Sequence, residues 1–138
     1  MANALYPKFK QEALKATAAM SLNGTGATGV YAALIDTGVA TYNAAHQYFN
    51  SIVAGQIGTE QEITTKTFVD GLFDGADVTF PTVTGANAEA ICIFVKTAGA
   101  NTTWSLVAWL DTGVTGLPVL PNGGNIAVTW HASGIFQL

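Results

Sequence analysis

The pattern of hydrophobic and polar positions along the chain predicts a mainly β protein. Segments 88–97 and 103–112 are apolar at consecutive positions, as in central strands buried on both faces. Segments 76–83 and 125–132 instead alternate between apolar and polar residues, which is typical of strands with one buried face. Glycine-rich turns separate six predicted strands, at 30–36, 62–73, 76–83, 88–97, 103–112 and 125–132. This spacing predicts an antiparallel β-sandwich or partly closed barrel.

One N-terminal helix precedes the predicted strands. Residues 4–20 are rich in helix formers, and apolar side chains recur there at helical spacing. Pro7 fits such a helix only in its first turn. We therefore predict a single domain over 1–138, with a helical segment at 1–20 and a β-rich body at 30–138.

Two segments have no clear periodicity. Residues 21–29 string together Gly, Ser, Asn and Thr and predict a loop. Residues 40–53 mix alanines with aromatic residues and fit either a short helix or an irregular loop over the core.

Composition points towards assembly. Charged residues make up only 10% of the chain, well below the roughly 25% typical of soluble domains. Such a neutral surface favours coverage of apolar area by other chains. The five lysines form no dense run, the chain has no arginine, and the net charge is −4, so we expect no nucleic-acid partner. No apolar run is long enough to cross a membrane, and residues 1–10 lack the apolar centre of a signal peptide, so we expect a soluble chain made in the cytoplasm.

The triplet Asp-Thr-Gly occurs twice, at 36–38 and 111–113, each time after two apolar residues. Aspartic proteases carry their two catalytic aspartates in this triplet, about 3 Å apart and sharing a proton. The chain is too short for two lobes, since only 27 residues follow Asp111. We therefore interpret each triplet as a turn, in which the aspartate bonds the backbone two residues on and the glycine supplies a positive φ.

Other catalytic or metal-binding patterns are weak. His46 and His131 are the only histidines, without the spacing of metal ligands, and we expect each at or near the surface. Cys92 lies in an apolar run and is interpreted as a buried, inert thiol. The stretch at 121–125 resembles a phosphate loop but lacks the following Lys-Ser/Thr, so it is interpreted as a turn. We expect no enzyme activity, metal or cofactor.

Aromatic and basic residues supply the candidate interface. Trp104 and Trp109 are five residues apart on one predicted strand, which predicts that they point to opposite faces. At least one is then expected to reach a second sheet, the helix or a partner subunit. The N-terminal helix holds three of the five lysines. It can dock on an acidic partner, or it can pack on its own β body, and packing is favoured. The candidate interface residues are Leu5, Lys8, Phe9 and Trp104.

Several stretches resemble short virion proteins of tailed bacteriophages and prophages. They are the opening MANALYPKFKQEAL, the strand with LIDTG, the segment DGADVTFPTVTGANAEAICIF, and the ending DTGVTGLPVLPNGGNIAVTWHASGIFQL. The resemblance spans nearly the whole chain and is greatest in its last 28 residues. It implies a structural component of the virion.

From the resemblance and the composition together, we expect a capsid decoration, or cement, protein on the capsid surface. Its partners would be the phage major capsid protein and further copies of itself, most simply as a trimer at threefold positions of the lattice. A tail, baseplate or fibre-associated protein is one alternative. A carbohydrate-binding module on the virion is another, and it would need an exposed aromatic platform.

Overall fold

The computed structural model describes residues 3–17 and 20–138, and it is mainly β, with 33% strand and 18% helix. One α-helix, α1, spans Pro7–Leu14. The strands are β1 (Ala4–Leu5), β2 (Val30–Ile35), β3 (Gln56–Glu62), β4 (Leu72–Phe73), β5 (Val78–Phe80), β6 (Ala90–Val95), β7 (Ser105–Leu110), β8 (Ile126–Val128) and β9 (Phe136–Gln137). The predicted mainly β class with an N-terminal helix is confirmed.

Five strands form one antiparallel sheet in the order β1-β7-β6-β2-β3. Strand β6 lies at its centre, where Ala33 of β2 and Trp109 of β7 both pair with Cys92. All residues of β6 and β7 are buried, as the continuous apolar runs predicted. Two smaller antiparallel pairs, β4–β9 and β5–β8, complete the architecture, and the described strands do not close into a barrel.

Both faces of the large sheet are covered. On the face that carries Cys92 and Phe94, Phe49 stacks on Phe94 with ring centroids 4.2 Å apart. Phe49 belongs to segment 40–53, which forms two short 3-10 turns, Phe49–Ser51 and Val53–Gly55, over the core. This agrees with the irregular loop over the core, which was one of the two alternatives for 40–53. On the other face, Ala108 and Leu110 lie beside residues 135–137 at the C-terminal end.

The alternating segments fold as predicted. In β5, Val78 and Phe80 are buried and Thr79 is exposed, and Ile126 and Val128 of β8 are buried in the same way. The prediction of a strand at 62–73 is wrong, because most of that segment is irregular and Thr65 and Asp70 have positive φ angles. The strand lies earlier, at Gln56–Glu62, where backbone pairing with β2 holds a mostly polar sequence at the edge of the sheet.

The helix is shorter than the predicted 4–20. It begins at Pro7, whose fixed φ suits the first turn and whose missing N–H is not needed there. Ala4 and Leu5 instead pair with β7, and the N–H of Tyr6 donates to the carbonyl of Val107 at 3.0 Å. The helix ends at Leu14, and Ala16 has a positive φ. Residues 18 and 19 of the predicted helix lie outside the described residues. No helix in the described ranges has the length and hydropathy needed to cross a bilayer.

Trp104, directly before β7, and Trp109, in β7, do not point to opposite faces as predicted. Trp109 pairs with Cys92, and the ring of Trp104 stacks on Phe94, two residues further along the same face of β6. The register between β6 and β7 shifts where Ile93 faces Ala108 but Phe94 faces Leu106. This bulge inserts one extra residue and reverses the alternation on which the prediction depended.

The packing of α1 makes a first prediction. Phe9 is 2% exposed and meets Phe136 edge to face, whereas Lys8 beside it is exposed. Phe9→Ala should lower the free energy of unfolding by about 3–5 kcal/mol, because it empties a filled site in the core. Lys8→Ala is the matched control and should change it by no more than about 0.5 kcal/mol. Urea denaturation measures both, and a small loss for Phe9→Ala would show that the helix is not part of the core.

Candidate functional site

The first Asp-Thr-Gly turn follows β2 and has the predicted side-chain bond. The Asp36 carboxylate accepts the N–H of Gly38 at 2.8 Å, and the Asp36 carbonyl accepts the N–H groups of Val39 and Ala40. Gly38 does not have a positive φ, so that part of the interpretation is wrong. A Cβ at Gly38 would instead lie 3.0 Å from the carboxylate oxygen of Asp36. Position 38 therefore lacks a side chain because one would crowd the bond from Asp36, and not because the backbone there is left-handed.

The second Asp-Thr-Gly turn follows β7 and is built differently. The side-chain oxygen of Asn3 accepts the N–H groups of Asp111 and Thr112 at 2.8 and 3.0 Å, and the Asn3 amide donates to the Thr112 carbonyl at 2.9 Å. Gly113 has φ 70°, as the turn interpretation predicted. The indole N–H of Trp109 donates to the Asp111 carboxylate at 3.4 Å. The side chain of Asn3, in the N-terminal segment, thus caps this turn.

The two turns lie at the same end of the sheet with β6 between them. Ile35 of β2 pairs with Ala90, and Leu110 of β7 pairs with Ile91. Neighbouring strands are about 4.8 Å apart, so the backbones of the two turns are about 10 Å apart. This arrangement, with a different bonding pattern in each turn, lacks the symmetry of a protease dyad and favours the turn interpretation.

An open cavity of about 480 Å³ lies at this end of the sheet. Its lining residues supply hydroxyl, amide and carboxylate groups beside two aromatic rings and a proline, and they are Thr37, Thr41, Tyr42, Asn87, Glu89, Trp109, Asp111, Thr112 and Pro118. Among these residues, Glu89 was not predicted from the sequence as a site residue. The only feature of the sequence that could have indicated Glu89 is its position as an acidic residue directly before a buried strand.

Glu89 ties the first turn to the start of β6. Its carboxylate accepts the N–H of Thr37 at 2.9 Å and the Thr37 hydroxyl, and its other oxygen lies 3.4 Å from the Asn87 amide. The Thr37 hydroxyl and backbone N–H hold the pKa of Glu89 below its ordinary value of 4.5, because donated hydrogen bonds favour the charged form. No described basic residue forms an ion pair with Glu89.

The four candidate interface residues differ in how exposed they are. Leu5 is half-buried in β1, and the ring of Phe9 is buried in the protein's own core. A contact of either residue with a partner stays a prediction. Lys8 is exposed on α1. Trp104 is half-buried, and its indole N–H donates to the carbonyl of Gly99 at 3.0 Å. Of the four, Lys8 is the one that is exposed.

The other singled-out residues are placed as expected. Cys92 is fully buried, and burial raises the pKa of its thiol. His46 is half-buried and His131 is exposed. Segment 121–125 contains a turn in which the Asn122 side chain accepts the N–H of Gly124 at 3.0 Å. Within residues 3–17 and 20–138, no three His, Cys, Asp or Glu side chains come together as a metal site.

No protein-family model matches the chain, and no curated protein matches it significantly. The resemblance to phage virion proteins therefore stays a prediction that depends on the residues quoted for it.

The contact between Thr37 and Glu89 makes a second prediction. Thr37→Val removes the hydroxyl donor and should raise the pKa of Glu89 towards 4.5. Because the native pKa is lowered, the bond stabilises the fold above the unfolded-state value and is lost as pH falls through the folded value. Titration of the Glu89 carboxyl by NMR measures this shift. Thr41→Val, in the same cavity, is the control and should leave the pKa unchanged. The same pKa in all three proteins would contradict the assignment.

Proposed function

We propose that the protein is a structural component of a tailed-bacteriophage virion, and specifically a capsid decoration protein that bridges neighbouring capsid subunits. The observation that carries the proposal is the resemblance of the quoted segments, above all the last 28 residues, to short phage virion proteins. The surface supports it. A decoration protein needs contact area repeated at many equivalent sites.

The exposed surface of the described residues suits such contacts. Large hydrophobic side chains stand exposed at six positions, namely Leu14, Val39, Phe68, Val69, Leu120 and Leu138. Charged residues are few over the whole chain, at 10%. A surface of this kind favours coverage by a partner, since exposed apolar clusters mark interaction sites in soluble proteins.

The carbohydrate-binding alternative has less support. Such a module would use an exposed aromatic platform, and Trp104 is the least buried of the three tryptophans. The ring of Trp104 stacks on Phe94, and the Lys96 ammonium lies 4.4 Å from its centroid. These contacts already occupy the ring within the protein's own fold.

The number of copies in the virion tests the proposal. A decoration protein should be present in hundreds of copies per particle, because it occupies equivalent positions over the whole capsid. Quantitative mass spectrometry of purified virions, scaled to the major capsid protein, gives this number, and immunogold labelling gives the location. About six or twelve copies at the tail would support the tail-associated alternative instead. Absence from purified virions would refute both.

The oligomeric state makes a fourth prediction. The purified protein should form a closed homo-oligomer, with a trimer expected, because a closed ring buries the exposed hydrophobic side chains and matches a threefold position. Sedimentation velocity over a range of micromolar concentrations measures this. A stable monomer throughout that range would count against self-assembly, whereas the copy number would still decide the place in the virion.

A further inference from the structure

The six exposed large hydrophobic side chains of the described residues fall into two patches. Four belong to the side of the molecule that carries α1 and the C-terminal residues, and we call this set the groove patch: Leu14, Phe68, Val69 and Leu138. The other two lie at the end of the sheet that carries the Asp-Thr-Gly turns, and we call them the edge patch: Val39 and Leu120. The two patches share no residue.

The groove patch surrounds an apolar depression. An open cavity of about 400 Å³ lies between α1, residues 20–23 and the end of the chain, lined by Phe9, Ala13, Met20, Ser21, Leu22, Asn23, Phe68 and Leu138. A smaller cavity of about 140 Å³ continues it along Phe73 and Phe136. Leu14, at the end of the helix, is 90% exposed. A small apolar side chain that entered this depression would release water from both surfaces.

The edge patch projects such side chains. Val39 belongs to the turn after β2, where its N–H is bound to the carbonyl of Asp36, and its side chain is 60% exposed. Leu120 follows Val119, which forms an antiparallel bridge with Ala88, directly before Glu89. Both residues lie close in the chain to a neighbour of Glu89, since Thr37 binds its carboxylate two residues before Val39, and Ala88 pairs with Val119 directly before Leu120.

The charges beside the two patches are complementary. Successive helix residues are rotated by about 100°, so Lys8 and Lys10 lie on either side of Phe9 on α1. Lys15 is already paired with Glu12, with 3.2 Å between the ammonium and the carboxylate, and Asp70 follows Val69. Lys66 binds the carbonyl of Gly24, and Asp74 bridges Thr67, so both lie near Phe68. Together these residues contribute four lysines and three acids.

The end of the sheet that carries the edge patch has the opposite sign. It carries Asp36, Glu89 and Asp111, and neither Asp36 nor Glu89 forms an ion pair with a described residue. Their carboxylates accept hydrogen bonds from neutral donors, as described for the two turns. The positively charged helix beside the groove is complementary in charge to the acidic end of the sheet. The apolar groove is likewise complementary to the apolar side chains of the edge patch.

We propose that the edge patch of one copy docks into the groove patch of the next. Val39 and Leu120 enter the apolar groove, and Asp36 and Glu89 face Lys8 and Lys10 of the second copy. Because the two surfaces are different, the contact is head to tail, and it closes into a ring when the rotation between copies divides a full turn. This inference rests on the self-assembly in the proposed function.

Two variants, each disabled in one patch, test the contact. Val39→Asp places a charge on the edge patch, and Phe68→Asp places one in the groove, both at exposed positions where the fold should tolerate them. Each variant alone should sediment as a monomer, with a dissociation constant at least tenfold above that of the unmodified protein. Mixed together, they should form a one-to-one heterodimer and nothing larger, since the intact groove of one binds the intact edge of the other. Thr102→Asp, exposed at the opposite end of the sheet, is the control and should assemble normally.

The heterodimer is the decisive result, because it also shows that both variants are folded. A mixture that stays monomeric, or variants that assemble like the unmodified protein, would overturn the head-to-tail contact. Loss of assembly with Phe68→Asp but not with Val39→Asp would overturn it too, in favour of a groove-to-groove contact. Each of these results leaves the virion location open to the separate copy-number measurement, so the two proposals can fail independently.

Discussion

Burial of both faces of β6 is the constraint on which the rest of the structure depends. Every residue from Ala90 to Val95 is buried, and a strand of this kind gains its stability only when both faces are covered. In many proteins helices provide this cover. Here α1 has only eight residues, so irregular segments and short strand pairs provide most of the cover. That requirement explains why segment 40–53 and the C-terminal residues pack on opposite faces of the same sheet.

An aromatic cluster fixes the far end of the sheet and shows why Trp104 belongs to the fold. The rings of Phe49, Phe94 and Trp104 stack on one another, and the Lys96 ammonium lies within 4.6 Å of the ring centroids of both Tyr31 and Trp104. Lys96 also pairs with Glu60 at 2.9 Å. Burial opposes the charge on Glu60, but the hydrogen bonds from Lys96 and Gln56 outweigh it and lower the pKa of Glu60. One lysine thereby joins β6, the edge strand β3 and the aromatic cluster.

An element could be predicted from the sequence when buried apolar side chains supply most of its stability, because these side chains form a pattern along the chain. Strands β6 and β7 were predictable because dense apolar runs are buried wherever they pair, and β5 and β8 because alternation reports one buried face. Strand β3 was not, since its sequence QIGTEQE carries one buried side chain, Ile57, and backbone pairing does the rest. The face of the sheet on which the Trp104 ring lies could not be predicted for a similar reason. It depends on a single bulge residue between β6 and β7, which leaves no mark in the hydrophobic pattern.

The two Asp-Thr-Gly turns show the same limit at the candidate site. Asp36 makes its bond within three residues, so local sequence predicted it, whereas the turn at Asp111 is capped by Asn3, 108 residues away in the chain. The Asn3 cap also has a structural consequence. It fastens the N-terminal segment to the acidic edge of the sheet, and the pairing of Ala4 and Leu5 with β7 then determines where α1 begins. A non-local bond at one end of the sheet thus sets the position of the helix that carries the lysines and borders the apolar groove.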